Sequence, residues 1–188
     1  MQRDQFPAGS DLERYRNYLR FLARVQVGSR PGGRIDPSDL VQQTLLEAYQ
    51  KRDQFRGGND AERAGWLRMI LARNVADALR AQGRLKRDVS RERSLEQELA
   101  ESSARLGNWL AADGPSPSEF AQRHEQAIRL ADALARLSTE QREALVLHYW
   151  QGCSLAEVGT RLERTPSAVA GLLKRGLKNL RGELGAVE

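Results

Sequence analysis

The groups in this chain best suited to chemistry are arginines and lysines, and their spacing is ordered. In TPSAVAGLLKRGLKNLR, Thr165 to Arg181, helical spacing puts Lys174, Arg175 and Lys178 on one side, preceded by Ser167, Ala168 and Gly171. Val169, Leu172, Leu173, Leu177 and Leu180 fall on the other side. A small, side-chain-poor start followed by cations lets a helix enter a groove and meet phosphates. A second set, Arg73, Asp77, Arg80 and Arg84, is spaced i, i+4, i+7 and i+11, which is again one helical face. The Thr165–Arg181 stretch also fits two other roles: a membrane-surface helix, and a packed helix with a solvated basic face. No Trp or Phe lies on its apolar side, which counts against the membrane role.

Enzyme chemistry finds little to work with. The chain has 188 residues, two histidines and one cysteine, Cys153. His124 and His148 stand apart, with no nucleophile constellation near either, and a Cys/His metal cluster is excluded. No phosphate-cradling glycine loop of Walker or Rossmann spacing occurs. We therefore expect no enzyme, no cofactor and no metal. The N-terminus, MQRDQFPAGSDLERYRNYLRFLARV, lacks the apolar stretch of a signal peptide, and no run is long enough to span a membrane. The expected location is the cytoplasm. The net charge is +5, with aromatic residues at 6%, so a core must be built largely from Leu, Ala and Val, and a polyanionic partner is favoured.

The elements that would hold these cations announce themselves by their caps. Ser10–Glu13 (SDLE), Asp36–Asp39 (DPSD), Asn59–Glu62 (NDAE), Ser116–Glu119 (SPSE), Ser138–Gln141 (STEQ), Ser154–Glu157 (SLAE) and Thr165–Pro166 each place a capping side chain before a helical period. No alternating strand pattern competes. The expected fold is all-α: two small helical bundles joined by a linker, the second containing a helix-turn-helix. Residues 10–85 form the first bundle, with apolar ridges Leu12/Tyr15/Leu19/Leu22/Val25, Leu40/Val41/Leu45/Ala48/Tyr49 and Leu67/Leu71/Val75/Ala78/Leu79. Residues 86–115 read as an acidic flexible linker with a short helix near Leu95–Leu106. Residues 116–184 form the second bundle, of four helices. Charge is segregated to match: net +6 over Arg63–Arg93, −4 over Ser94–Phe120 and +5 over Arg161–Gly182.

SLAEVGTRL, then ERT, then PSAVAGLLKRGLKNLR has the length and order of a helix-turn-helix. Gly159 stands where the two helices would cross closely. Glu163 occupies a turn position that usually favours glycine, so a non-glycine residue must take the strained backbone.

Two longer segments carry a resemblance. DLVQQTLLEAY, FRGG and WLRMILARNVADALR, within Asp36–Arg80, resemble region 2 of bacterial sigma factors of the compact extracytoplasmic-function group. LARLSTEQREALVLHYWQGCSLAEVGTRLERTPSAVAGLLKRGLKNLR resembles region 4 of the same family. The resemblance implies a protein that binds core RNA polymerase, on the clamp coiled coil of the largest subunit and on the flap, and promoter DNA. It implies a docking face of Asp39, Gln42, Gln43, Glu47 and Gln50. It implies −10 recognition and melting by Arg56, Gly57, Gly58, Asn59, Trp66, Arg73, Asn74, Asp77, Arg80 and Arg84. By the residues alone, Trp66 reads better as core than as a stacking platform. The resemblance further implies −35 duplex recognition by Arg164, Ser167, Ala168, Gly171, Lys174, Arg175 and Lys178. Ala168, Ala170 and Gly171 offer no side-chain readout, so backbone contacts and DNA shape would carry more of the specificity. The family places its linker in the positively charged polymerase cleft, which suits an acidic segment. An anti-sigma factor is common in the family, although no residue here points to one. The competing reading is a stand-alone helix-turn-helix regulator that binds operator DNA.

Overall fold

A computed structural model of the chain describes residues 10–28, 35–82, 89–109 and 119–185. Among the described residues there are nine α-helices and no strand: α1 Ser10–Glu13, α2 Arg16–Gly28, α3 Pro37–Gln50, α4 Asp60–Ala81, α5 Val89–Asn108, α6 Glu119–Arg136, α7 Thr139–Leu145, α8 Leu155–Leu162 and α9 Pro166–Gly185. A short 3-10 turn follows α3, and a π-helical turn, Val146–Trp150, continues α7. The chain divides into two compact units, residues 1–128 and 129–188.

The helices start where side-chain oxygens can cover orphan amides. Asp36 accepts from Ser38 N at 2.7 Å, with Pro37 in the first turn. Asn59 accepts from Glu62 N at 2.8 Å, and Ser138 from Gln141 N at 3.4 Å. Ser154 and Glu157 form a reciprocal capping box, and Thr165 accepts from Ala168 N at 3.2 Å. Each such cap is worth about 1 kcal/mol. The expected cap at Ser116 lies outside the described residues. The expected first helix is broken at residues 14–15, leaving α1 as a single turn.

In the first unit, α2, α3 and α4 bury Leu19, Leu22, Val41, Leu67, Leu71, Val75 and Leu79 against one another. Tyr15 is fully buried and donates to Asp60 at the start of α4, 3.1 Å away. Burial, and then the Asp60 carboxylate, push its phenol pKa up to about 12.

Within the acidic flexible linker expected over 86–115, the short helix expected near Leu95–Leu106 is present but longer, and the flexible reading is corrected over 89–108 by α5. Residues 89–108 form one continuous helix, packed on α4 and α2. Leu95, Leu99 and Leu106 are buried, at about 2 kcal/mol each. Ser103, also buried, accepts from Tyr18 Oη at 2.7 Å, and Arg68 reaches both hydroxyls, at 2.8 and 3.4 Å. The ridge 95/99/103/106 is helical, but a serine fills its third place and charges surround it, so composition alone suggested a tether. The first half of α6 also belongs with this unit, where Arg14 meets Glu125 at 3.0 Å. The unit boundary therefore falls within α6, not near residue 116.

The second unit packs α7 and α8 against α9, burying Leu145, Trp150, Val158, Val169, Leu172, Leu173 and Leu180. Leu162 and Leu177 are only half-buried.

Candidate nucleic-acid interface

α8 and α9 meet through a turn of three residues, 163–165. Gly159 is what lets them close: a Cβ there would lie 2.6 Å from the Arg164 carbonyl oxygen. Arg164 N donates back to Gly159 O at 2.8 Å and ends α8. Glu163 adopts the left-handed conformation, φ 54° and ψ 45°, so the turn is made with a strained glutamate where glycine would be at ease.

Beyond this turn α9 buries Val169, Leu172 and Leu173 and leaves Ser167, Ala168, Ala170, Lys174, Arg175 and Lys178 exposed. Gly171 is half-exposed, and the Arg175 guanidinium lies across it, 3.2 Å from where a Cβ would stand. Arg164 is exposed at the turn and paired with Glu140 at 2.7 Å. The seven residues expected on the recognition helix thus form one surface, small at its N-terminal end and basic behind.

In the first unit the loop before α4 is folded back on that helix. Glu62 Oε2 accepts from Gly58 N at 2.7 Å, and the Asn59 side chain is used as the cap. Gly57 sits against the Phe55 ring, where a Cβ would come within 2.4 Å of it. Trp66 is half-buried and stacks at a tilt on Phe55, ring centroids 5.2 Å apart. Arg56 and Gly58 are exposed.

Arg73, Asp77 and Arg80 do share the open side of α4, with exposed Met69 one turn ahead. Asn74 does not. It is buried and donates to Thr44 Oγ1 of α3 at 3.1 Å, while Thr44 donates to Leu40 O at 2.7 Å. Its expected place among the DNA-facing groups is therefore corrected: it satisfies a buried hydroxyl between two helices. Arg84 lies outside the described residues.

The cations on α4 are not bare. Arg73 pairs with Glu47 of α3 at 3.5 Å. Arg80 is held on one nitrogen by Asp77 and on the other by Glu92 of α5, the latter at 2.6 Å. The Glu92 and Asp77 hydrogen bonds raise the Arg80 pKa further above its already high value.

On α3, Asp39, Gln42, Gln43 and Gln50 are exposed together. Glu47 is withdrawn: its side chain is 15% exposed and is paired with Lys51 as well as Arg73. Two residues were missed on this face, Leu46 and Tyr49, exposed at 52% and 48%. Tyr49, expected on the buried ridge, instead lies under the Arg52 guanidinium, 4.7 Å from its ring centroid. The signal for Leu46 was present. At 100° per residue it points about 170° from the centre of the buried stripe, and only the habit of burying leucine hides that.

Comparison with known proteins bears on both surfaces. The family model for Sigma-70 region 2 matches residues 12–85, and that for Sigma-70, region 4 matches residues 127–180. The chain is 34% identical over 150 residues to the RNA polymerase sigma factor CarQ of Myxococcus xanthus, covering 80% of this chain and 75% of that protein. The chain belongs to the sigma-70 family, in its extracytoplasmic-function group. It is also 27% identical over 153 residues to the ECF RNA polymerase sigma factor SigE of Mycolicibacterium smegmatis, covering 81% of this chain and 53% of that one. The chain spans between a third and three quarters of the length of such relatives. A co-crystal structure of the sigma factor RpoE with the anti-sigma factor NepR from Bartonella quintana aligns over 94% of this chain and 95% of that one, at 23% identity and a TM-score of 0.35. Region 2 accordingly comprises α1 to α4, and α8 and α9 are the helix-turn-helix of region 4. Among the described residues no cluster of His, Cys, Asp or Glu is arranged to hold a metal, and no helix is long and apolar enough to cross a membrane.

Proposed function

We propose that this chain is a promoter-specificity subunit: it binds core RNA polymerase, region 2 recognises and melts the −10 element, and region 4 binds the −35 element as duplex. The observation that carries this is the α9 surface. Small exposed residues, Ser167, Ala168 and Gly171, lead into Lys174, Arg175 and Lys178, on a helix whose other face is closed by α7 and α8. Such a surface suits a major groove, with cations on the phosphates and little side-chain readout. Sparse readout makes it half of a two-point reader, the other half being Arg56, Gly57, Gly58, Asn59, Trp66, Arg73, Asp77, Arg80 and Arg84.

The α3 face supplies the polymerase contact. Leu46 and Tyr49 give an apolar centre, with Asp39, Gln42, Gln43 and Gln50 as its polar rim, the usual anatomy of a docking site. Its partner is the clamp coiled coil of the largest subunit, and region 4 meets the flap. An anti-sigma factor would compete for these same surfaces. The protein works in the cytoplasm and catalyses no reaction of its own.

The deciding experiment is run-off transcription with purified core polymerase and promoter DNA, the start sites being mapped after overexpression. Core binding and new starts are expected. Tight operator binding by a dimer, with no effect on core, would instead identify a stand-alone regulator.

A further inference from the structure

We propose that the first turn of α5 is an intramolecular brake on strand binding, in which Glu92 occupies the Arg80 guanidinium where a DNA phosphate would otherwise bind. The inference rests on the reading of α4 as the strand-binding face.

The geometry comes first. Arg80 NH1 meets Glu92 Oε1 at 2.6 Å, and Arg80 NH2 is taken by Asp77. A guanidinium fork binds carboxylate and phosphate through the same parallel N–H bonds, so an occupied fork has little left to offer a nucleotide. The two carboxylates differ in origin. Asp77 sits one turn away on the same helix and holds Arg80 wherever α4 goes. Glu92 is twelve residues on, in another helix, and reaches Arg80 only because α5 is docked.

Charge follows. Arg80 alone presents +1 to an approaching strand, and with Asp77 nothing. With Glu92 the triad is net −1, at the point where a polyanion must bind. Farther up the same helix Arg73 is likewise tied, to Glu47. The described arginines of the α4 open face are therefore both tied within the fold, Arg80 by two carboxylates and Arg73 by a Glu47 that it shares with Lys51. A positioning role would not need a second carboxylate on a cation already oriented by the first.

The mechanics allow release without unfolding. Leu95, Leu99, Leu106 and the Ser103 hydrogen bonds anchor α5 to α2 and α4. Glu92 lies ahead of all of them, one turn before Leu95, with its side chain 38% exposed. Fraying that single turn frees Arg80 and leaves the helix docked.

The test uses the full chain bound to core polymerase and a fluorescent single strand carrying the non-template −10 region of a mapped start site. Glu92→Gln removes the charge and keeps the shape. It should tighten strand binding by about two- to fivefold at low salt, the upper range of exposed ion pairs, with the gain shrinking as salt rises. Glu92→Asp, which keeps the charge, should stay near wild type. The gain should vanish in the Arg80→Ala background, which a general change in surface charge would not do. Unchanged or weaker binding by Glu92→Gln, with an unaltered unfolding curve, overturns the brake. If wild type with core yields no promoter-dependent transcript, the sigma reading itself has failed. If it transcribes and Glu92→Gln merely matches it, only the brake has.

Discussion

Replacing Gly159 by alanine sets two effects of opposite sign against each other. In an exposed helix, Gly→Ala stabilises by about 1 kcal/mol, through helix propensity and unfolded-chain entropy. At this position the new Cβ would stand 2.6 Å from the Arg164 carbonyl oxygen, with Arg164 C and Pro166 N each at 3.7 Å. Ordinary carbon–oxygen contact needs about 3.2 Å or more, so the carbonyl must retreat by roughly 0.6 Å. It belongs to the turn that sets α9, one peptide before the Thr165 cap, so there is no flexible side chain to absorb the shift. Overpacking of this kind costs about 1–3 kcal/mol, and moving the turn also strains the 2.8 Å bond from Arg164 N to Gly159 O. The expected net is a loss of about 1–2 kcal/mol in the second unit. Displacement of the α9 N-terminus should weaken −35 duplex binding about tenfold, the equivalent of 1.4 kcal/mol. Urea unfolding, read from amide resonances of α8 and α9, measures the first effect, because a two-unit chain need not unfold in one step. Fluorescence anisotropy with duplex DNA measures the second. A Gly159→Ala chain more stable than wild type would refute the close approach and leave helix propensity as the ruling effect.

Three further outcomes are expected. Glu163→Gly removes the left-handed penalty at φ 54° and should stabilise the same amides by about 0.5–1 kcal/mol, opposite in sign to Gly159→Ala. Leu46→Asp or Tyr49→Ala should weaken core binding by about tenfold or more, measured by surface plasmon resonance, with the fold intact by circular dichroism; Gln43→Ala at the rim should change it less. Burial, and then the nearby Arg68 charge, lower the His124 pKa below its ordinary 6.5. The unfolded chain therefore takes up this proton first. The stabilising share of His124 is complete above about pH 6.5 and is lost as pH falls from there toward the folded-state pKa. Glu13 and Glu157, both lowered from 4.5, lose theirs only in the carboxylate range below that. Denaturant midpoints at pH 7.5 and 5.5 should differ more for wild type than for His124→Gln.

Much of the architecture was legible because it is local. An oxygen before an amide, as at Asp36, Asn59, Ser154 and Thr165, starts a helix whatever surrounds it. The ridges on α2, α4 and α9 follow from period alone, and the spacing of Gly159 and Glu163 announced the turn. Three things were not local. Asn74 carries the same amide whether it faces solvent or Thr44, and only the docking of α3 on α4 decides which. Residues 89–108 read as a tether with only a short helix near Leu95–Leu106 because their apolar positions are few, and only the waiting surface of α2 and α4 makes three leucines and one serine enough to dock a helix of that full length. The state of the cations is also tertiary. Sequence placed Arg73 and Arg80 on one face through the pitch of a helix, but Glu47 and Glu92 lie 26 and 12 residues away along the chain. Whether those charges meet is decided by packing, because an ion pair across helices depends on a distance in space that no spacing along the chain encodes.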